Sequence, residues 1–144
     1  MTPIASAGAA LLLTTAGFAD PETAIDLAPE AVVQRLSASF NRHDLNAMAS
    51  LYSFDAELTS PDFCASRRGP EGLRKTYSEL FEAYPDIADH VTDYVVQGDR
   101  VTARFVAHSD AAALELHLTT FFTIQHGRIV SDATYFDTKG RPCS

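Results

Sequence analysis

Basic side chains are scarce in this chain and nowhere gathered. Eleven Lys and Arg stand against 19 Asp and Glu, a net charge of −8, and the longest basic run is the pair Arg67-Arg68. Such a surface repels nucleic acid and anionic lipid, so neither is an expected partner. Only two cysteines occur, Cys64 and Cys143, and no C-x-x-C, which removes thiol redox catalysis. The five histidines include no H-x-H or H-x-x-x-H pair that could offer two ligands from one element, so no metal is expected. A Gly-rich phosphate loop and a G-x-S-x-G nucleophile elbow are both missing. No repeat or low-complexity stretch follows the N-terminal segment. No cofactor is expected.

What is present is ordinary for one globular domain: 144 residues, 46% of them hydrophobic, enough to build a core without metal staples. Residues 1–19 carry no charged side chain, and "IASAGAALLLTTAGFA" is followed at once by "DPET". With Gly17 and Ala19 at the −3 and −1 positions, this reads as a secretory signal cut before Asp20, although no Lys or Arg precedes it. The run is shorter than the roughly 20 apolar residues a membrane span needs, so no membrane insertion is expected after its removal. A periplasmic or secreted location follows; the alternative is a cytoplasmic protein with an Ala-rich N-terminal arm. In an oxidising compartment Cys64 and Cys143 are a disulfide candidate, the alternative being two free thiols.

Residues 20–28 read as a linker, 29–138 as the folded domain and 139–144 as a C-terminal tail. A first helix is expected from Pro29, with Val32, Val33, Leu36 and Phe40 on one face. Asp44 caps a second helix burying Leu45, Met48, Leu51 and Tyr52. "AELTSP" is a short strand with Ala56, Leu58 and Ser60 on one face. After a loop through Arg68, Pro70 opens a third helix with Leu73, Tyr77, Leu80, Phe81 and Tyr84 on a stripe. Two strands then flank the turn Gly98-Asp99. The next strand carries the file Leu114, Leu116, Leu118, Thr120, Phe122 and Ile124, and a turn at His126-Gly127 leads to a last strand ending at Phe136. The fold class is α+β, with three helices and one early strand before an antiparallel meander.

In that order, "NRHDLNAMASLYSFDAELTSP", "RRGPEGLRKTYSELFEAYPDI", "VQGDRVTARF" and "FFTIQHGRIVSDATYFD" resemble the nuclear-transport-factor-2-like superfamily, in particular its SnoaL-like branch. The resemblance implies a cone: a curved antiparallel sheet wrapped around the three N-terminal helices, with an apolar pocket inside. It also implies a homodimer through the outer sheet face, although the file Thr102, Arg104, Val106 and His108 is too polar to make that face obvious. Ketosteroid isomerases of the superfamily carry a tyrosine where this chain has Leu36 and a base aspartate where it has Ser60. Their second acid falls at Thr119 or Thr120. Limonene-epoxide hydrolases carry an Asp-Arg-Asp trio that falls at Thr120, Leu118 and Thr134, and SnoaL-like cyclases an acid at Thr120. None of these positions supplies an ionisable group here.

The expected pocket is therefore greasy, with hydroxyls in place of carboxylates; the alternative is a filled core. Thr120, Thr134 and Tyr52 would orient a small apolar or aromatic ligand, with Phe105, Leu118 and Phe122 giving contact area and Leu36 and Ser60 completing the wall. Asp62 and Phe63 are placed at the rim. Catalysis, if retained, falls to Asp132, which shares parity with Thr134; burial would raise its pKa into a useful range. Because Ile129 and Tyr135 take one parity and Val130 and Phe136 the other, alternation alone leaves Asp132 either inward or exposed near a turn. The first reading is a ligand-binding protein without the superfamily's known catalysis. The second is an isomerase, cyclase or hydrolase acting on a carbonyl or polyketide-like substrate through Asp132.

Overall fold

The computed structural model describes residues 26–144; the expected signal, residues 1–19, and most of the linker lie outside them. Helix α1 runs from Pro29 to Asn41, with proline in its first turn, where a missing N–H costs nothing. Val32, Val33, Leu36 and Phe40 are buried along one face. The helix stops where His43 adopts a left-handed φ of 53°. Asp44 then accepts from the Ala47 N–H at 3.0 Å, capping α2, Leu45–Ser50.

This second helix is shorter than its hydrophobic pattern implies. Tyr52 does not belong to it but opens strand β1, Tyr52–Thr59. The reason is tertiary. The Arg128 guanidinium donates to the Ser50 carbonyl at 2.7 Å, and the Ile129 N–H to the Leu51 carbonyl at 2.8 Å. Both groups come from the start of the last strand, and they take up carbonyls that would otherwise continue the helix. Leu45 is only half-buried, and Ser60 lies just past the end of β1.

Arg67 and Arg68 form a short strand, β2, antiparallel to β1, where a loop was expected. Helix α3, Gly69–Ala83, follows directly. Then come β3 (Ala88–Gln97), β4 (Arg100–Ser109), β5 (Leu114–Gln125) and β6 (Arg128–Tyr135). Gly98 supplies a φ of 59° in the first tight turn, and His126 and Gly127 supply 51° and 70° in the second. The strands form one curved sheet in the order β2-β1-β6-β5-β4-β3. One pairing departs from the antiparallel expectation: β1 runs parallel to β6. Strands so distant in sequence are not joined by a hairpin, which would force them antiparallel.

The sheet's inner face supplies Ala56, Leu58, Val101, Ala103, Phe105, Phe122 and Ile124, buried against the α1 and α3 faces. Cys64 and Cys143 are joined by a disulfide, Cα to Cα 5.0 Å, closing a loop of 79 residues. Beside it, the Ser144 N–H donates to the Asp62 carbonyl at 2.9 Å. The C-terminal tail is thus fastened to the loop after β1.

Gly69 links β2 to α3 at a φ of 63°, and a Cβ there would lie 2.3 Å from the Phe54 carbonyl oxygen. Backbone cannot retreat cheaply, and the left-handed conformation alone costs about 1–3 kcal/mol for a side-chain-bearing residue. Gly69→Ala is expected to lose at least that much in urea unfolding, whereas Gly98→Ala, with open space around it, should lose less.

Candidate active site

Between the helices and the inner sheet face lies a cavity of about 420 Å³. A cavity of this size counts against the filled-core alternative. Leu36, Ser60, Phe63, Phe105, Leu118, Thr120, Phe122 and Thr134 all border the cavity, as sequence reading placed them. Tyr52 does not; it stands behind the wall, fully buried. Phe63 is at the mouth, with the Arg67 guanidinium 4.0 Å above its ring. Thr138, Arg141 and Pro142 of the tethered tail border the same opening.

The cavity is not the carboxylate-free space expected. Asp132, Asp89 and Asp62 all line it. Asp132 is 5% exposed, and a bulge explains how it reaches the interior. On β5, Phe122 and Ile124 are two residues apart, but their partners on β6, Asp132 and Ile129, are three apart. The extra residue reverses the alternation, so both Ile129 and Asp132 face inward. Simple parity could not show this.

Both Asp132 oxygens are held. The Tyr52 hydroxyl donates to Oδ2 at 2.6 Å, and the Thr134 hydroxyl donates to Oδ1 at 3.1 Å. Thr120 Oγ1 and Thr134 Oγ1 lie 2.8 Å apart. A hydroxyl has a single proton to give. With Thr134 donating to Asp132, Thr120 donates to Thr134, and a relay runs Thr120 to Thr134 to Asp132. Burial pushes the Asp132 carboxyl up to about 6, against the lowering effect of the Tyr52 and Thr134 hydrogen bonds. Burial, reinforced by the Asp132 charge, pushes the Tyr52 phenol well above its usual range, so it stays a donor.

Two further groups were missed in the sequence. Tyr77 was read as a core residue of the α3 stripe, yet it borders the cavity. Its phenol is raised first by burial and then by the charges of Asp132, Asp89 and Asp62, which places it within electrical reach of all three. Asp89 was passed over because the stretch that reads as a strand in the sequence is "HVTDYVV", which begins at His90. The strand starts two residues earlier, and Asp89 pairs with the inward Ala107. Inward parity shared with Val91, partner of Phe105, was the signal available. Burial pushes Asp89 up to about 7, with the His108 charge opposing.

His108 and His117 face outward, and His117 lies 3.0 Å from the Glu115 carboxylate. Among the described residues, no three His, Cys, Asp or Glu side chains are gathered to hold a metal ion. Among the same residues, no helix is long and apolar enough to cross a membrane.

An Asp132 pKa of about 6 in the fold exceeds the roughly 3.9 of an unfolded chain. The native state therefore holds this proton to higher pH. The stabilisation is complete below about pH 4 and is lost as pH rises through 6. Asp132→Asn should flatten the decline of stability across that window, read as the wild-type minus variant difference in urea midpoints. Tyr52→Phe removes a hydrogen bond to a charged partner and should cost about 1.5–3 kcal/mol at pH 7 and less at pH 4.

The SnoaL-like domain family matches residues 33–132. No curated protein matches the chain in sequence. Among solved structures, IdmH, a proposed polyketide cyclase from Streptomyces antibioticus, is 24% identical with a TM-score of 0.70, over 78% of this chain and 94% of that one. TerC, co-crystallised with polyporic acid, is 17% identical with a TM-score of 0.69, over 78% and 94%. A proposed ketosteroid isomerase from Kribbella flavida is 15% identical with a TM-score of 0.67, over 81% and 82%. At such identities the likeness carries the fold alone, and the family match covers most of the folded domain. The chain belongs to the SnoaL-like domain family, within the nuclear-transport-factor-2-like fold.

Proposed function

We propose that the chain is an acid–base enzyme acting on a small, largely apolar carbonyl or polyketide-like compound, with Asp132 as the proton-transfer group. One observation carries this reading. A carboxyl at the wall of an apolar cavity, oriented by two hydroxyls, is held by burial at about 6. Proton transfer is most efficient when the group's pKa lies near the working pH, and such a carboxyl is largely ionised at pH 7 yet basic enough to accept a proton. The Asp132 carboxylate takes a proton from the carbon next to the substrate carbonyl, and the C–H electron pair passes into the enolate. The Tyr77 hydroxyl, protonated and without a hydrogen bond among the described residues, is available to the enolate oxygen. Where the enolate is conjugated with a C=C bond, return of the proton from Asp132 to the far carbon gives isomerisation; where the enolate carbon attacks a second carbonyl, the resulting alkoxide takes that proton and a ring is closed. The proposed polyketide cyclases and the proposed ketosteroid isomerase among the structural neighbours are in keeping with this substrate class.

The carboxylate on the cavity wall favours this reading over that of a pure ligand-binding protein. The Cys64–Cys143 bond supports an oxidising, periplasmic or secreted location. Phe121 and Tyr135, both exposed and edge to face at 5.8 Å on the outer sheet face, support a homodimer there.

Hydrogen–deuterium exchange next to the carbonyl, followed by NMR in D2O over a panel of aryl and cyclic ketones, tests the reaction class directly. Wild-type protein should accelerate exchange for some members, with an acid limb near pH 6. Asp132→Asn should lose about 10²–10⁴-fold. Exchange that survives in Asp132→Asn removes the proposal; ligands that bind without exchange favour the binding protein. Light scattering should report a dimer that Phe121→Glu dissociates.

A further inference from the structure

Among the described residues, Asp89 is the one carboxylate of the cavity wall for which the chain supplies no partner. Asp62 accepts from the Ser60 hydroxyl, Glu79 pairs with Lys75, and Asp132 has Tyr52 and Thr134. Asp89 borders the cavity; its Oδ1 has no hydrogen bond and is closed even to water, so the other carboxyl oxygen is the one a bound molecule would meet. Arg67 of the lining is already engaged with Thr76 at 2.7 Å and with Glu79 at 3.8 Å.

The Asp89 backbone, by contrast, is firmly held. The Asn41 side-chain amide accepts from the Asp89 N–H at 2.7 Å and donates to its carbonyl at 2.9 Å. This clamp from the end of α1 holds the backbone that carries the carboxyl without satisfying the carboxyl itself. An unpartnered buried polar oxygen destabilises the fold. A local rule broken at a cavity wall, with no compensating contact, marks a position set aside for something the chain does not itself contain.

Asp89 and Asp132 occupy different places on the sheet. The two lie on β3 and β6, separated by β4 and β5. Traced through the pairing, Asp132 sits opposite Phe122 of β5, whereas Asp89 leads through Ala107 to Leu116, six residues away. They therefore address different ends of a bound molecule, with Tyr77 in electrical reach of both.

We propose that Asp89 anchors a hydroxyl group at the far end of an otherwise apolar substrate whose reacting carbonyl lies at Asp132. This rests on the cavity being the reaction site described above. Burial holds Asp89 at about 7, so near neutral pH it exists both as donor and as acceptor. A hydroxyl matches either form because it donates and accepts. An ammonium matches only the ionised form, and a ligand carboxylate would meet Asp62, Asp89 and Asp132 together. The substrate class narrows from apolar carbonyl compounds to hydroxylated ones.

The test uses three probes of like size: 2-naphthol, 2-methylnaphthalene and 2-naphthylmethylamine. They are titrated by calorimetry into wild-type protein, Asp89→Leu and Asp132→Asn, and the ligand-free melting temperatures are measured alongside. Wild-type protein and Asp132→Asn should prefer 2-naphthol to 2-methylnaphthalene by about tenfold or more. Asp89→Leu should bind both equally and, free of an unsatisfied carboxyl, melt higher than wild type. A naphthol preference that persists in Asp89→Leu overturns the proposal. So does a lower melting temperature for that variant, which would make Asp89 structural, or a preference for the amine that Asp89→Leu abolishes. Binding of no probe to the wild type also counts against it. Loss of deuterium exchange in Asp132→Asn without a naphthol preference would leave the acid–base reading standing and remove this one alone.

Discussion

The Tyr52 hydroxyl and the Asp132 carboxyl are 80 residues apart in sequence and 2.6 Å apart in the fold. Their hydrogen bond spans the parallel seam between the first long strand and the last, where, among the described residues, the helical half of the chain joins the meander edge to edge. It also makes burial of a charge tolerable. An isolated carboxylate inside an apolar wall would neutralise by shifting far upward. With Tyr52 and Thr134 donating, the shift is held to about 6, where proton exchange at neutral pH is useful. One interaction thus bridges the β1–β6 seam and tunes the site.

The cavity wall is unusually acidic for its apolar character. Three aspartates border it against two arginines, and Arg67 is already committed to Glu79 and Thr76. The three are not equivalent. Asp62 is locally satisfied by Ser60, Asp132 is oriented by two hydroxyls, and Asp89 is left open. Differences of environment, not of residue type, separate their roles, the pattern by which one set of carboxyls can divide binding from proton transfer.

The disulfide and the Ser144–Asp62 backbone contact hold the tail across the mouth. Closing a loop of 79 residues restrains the unfolded chain by roughly 4 kcal/mol in the loop-entropy account. The same bond keeps Arg141 and Pro142 beside the opening, so stability and access to the cavity share one covalent link.

The sequence by itself determined the elements and their faces. Proline at the head of α1, Asp44 at that of α2, the glycine turns and the alternation of β5 are local signals, set by backbone geometry and side-chain chemistry over a few residues. They were enough to put Leu36, Thr120 and Phe122 on inward faces, while the cone itself was what the resemblance to the SnoaL-like branch implied. Only tertiary structure decided the site. Tyr52 left the second helix because β6 supplied partners for the carbonyls of Ser50 and Leu51. Asp132 turned inward because a bulge reversed the parity of β6, and Asp89 joined the wall because β3 began before its hydrophobic run. Each depends on pairing between distant segments, and a one-residue shift in register moves a side chain from one face of a sheet to the other.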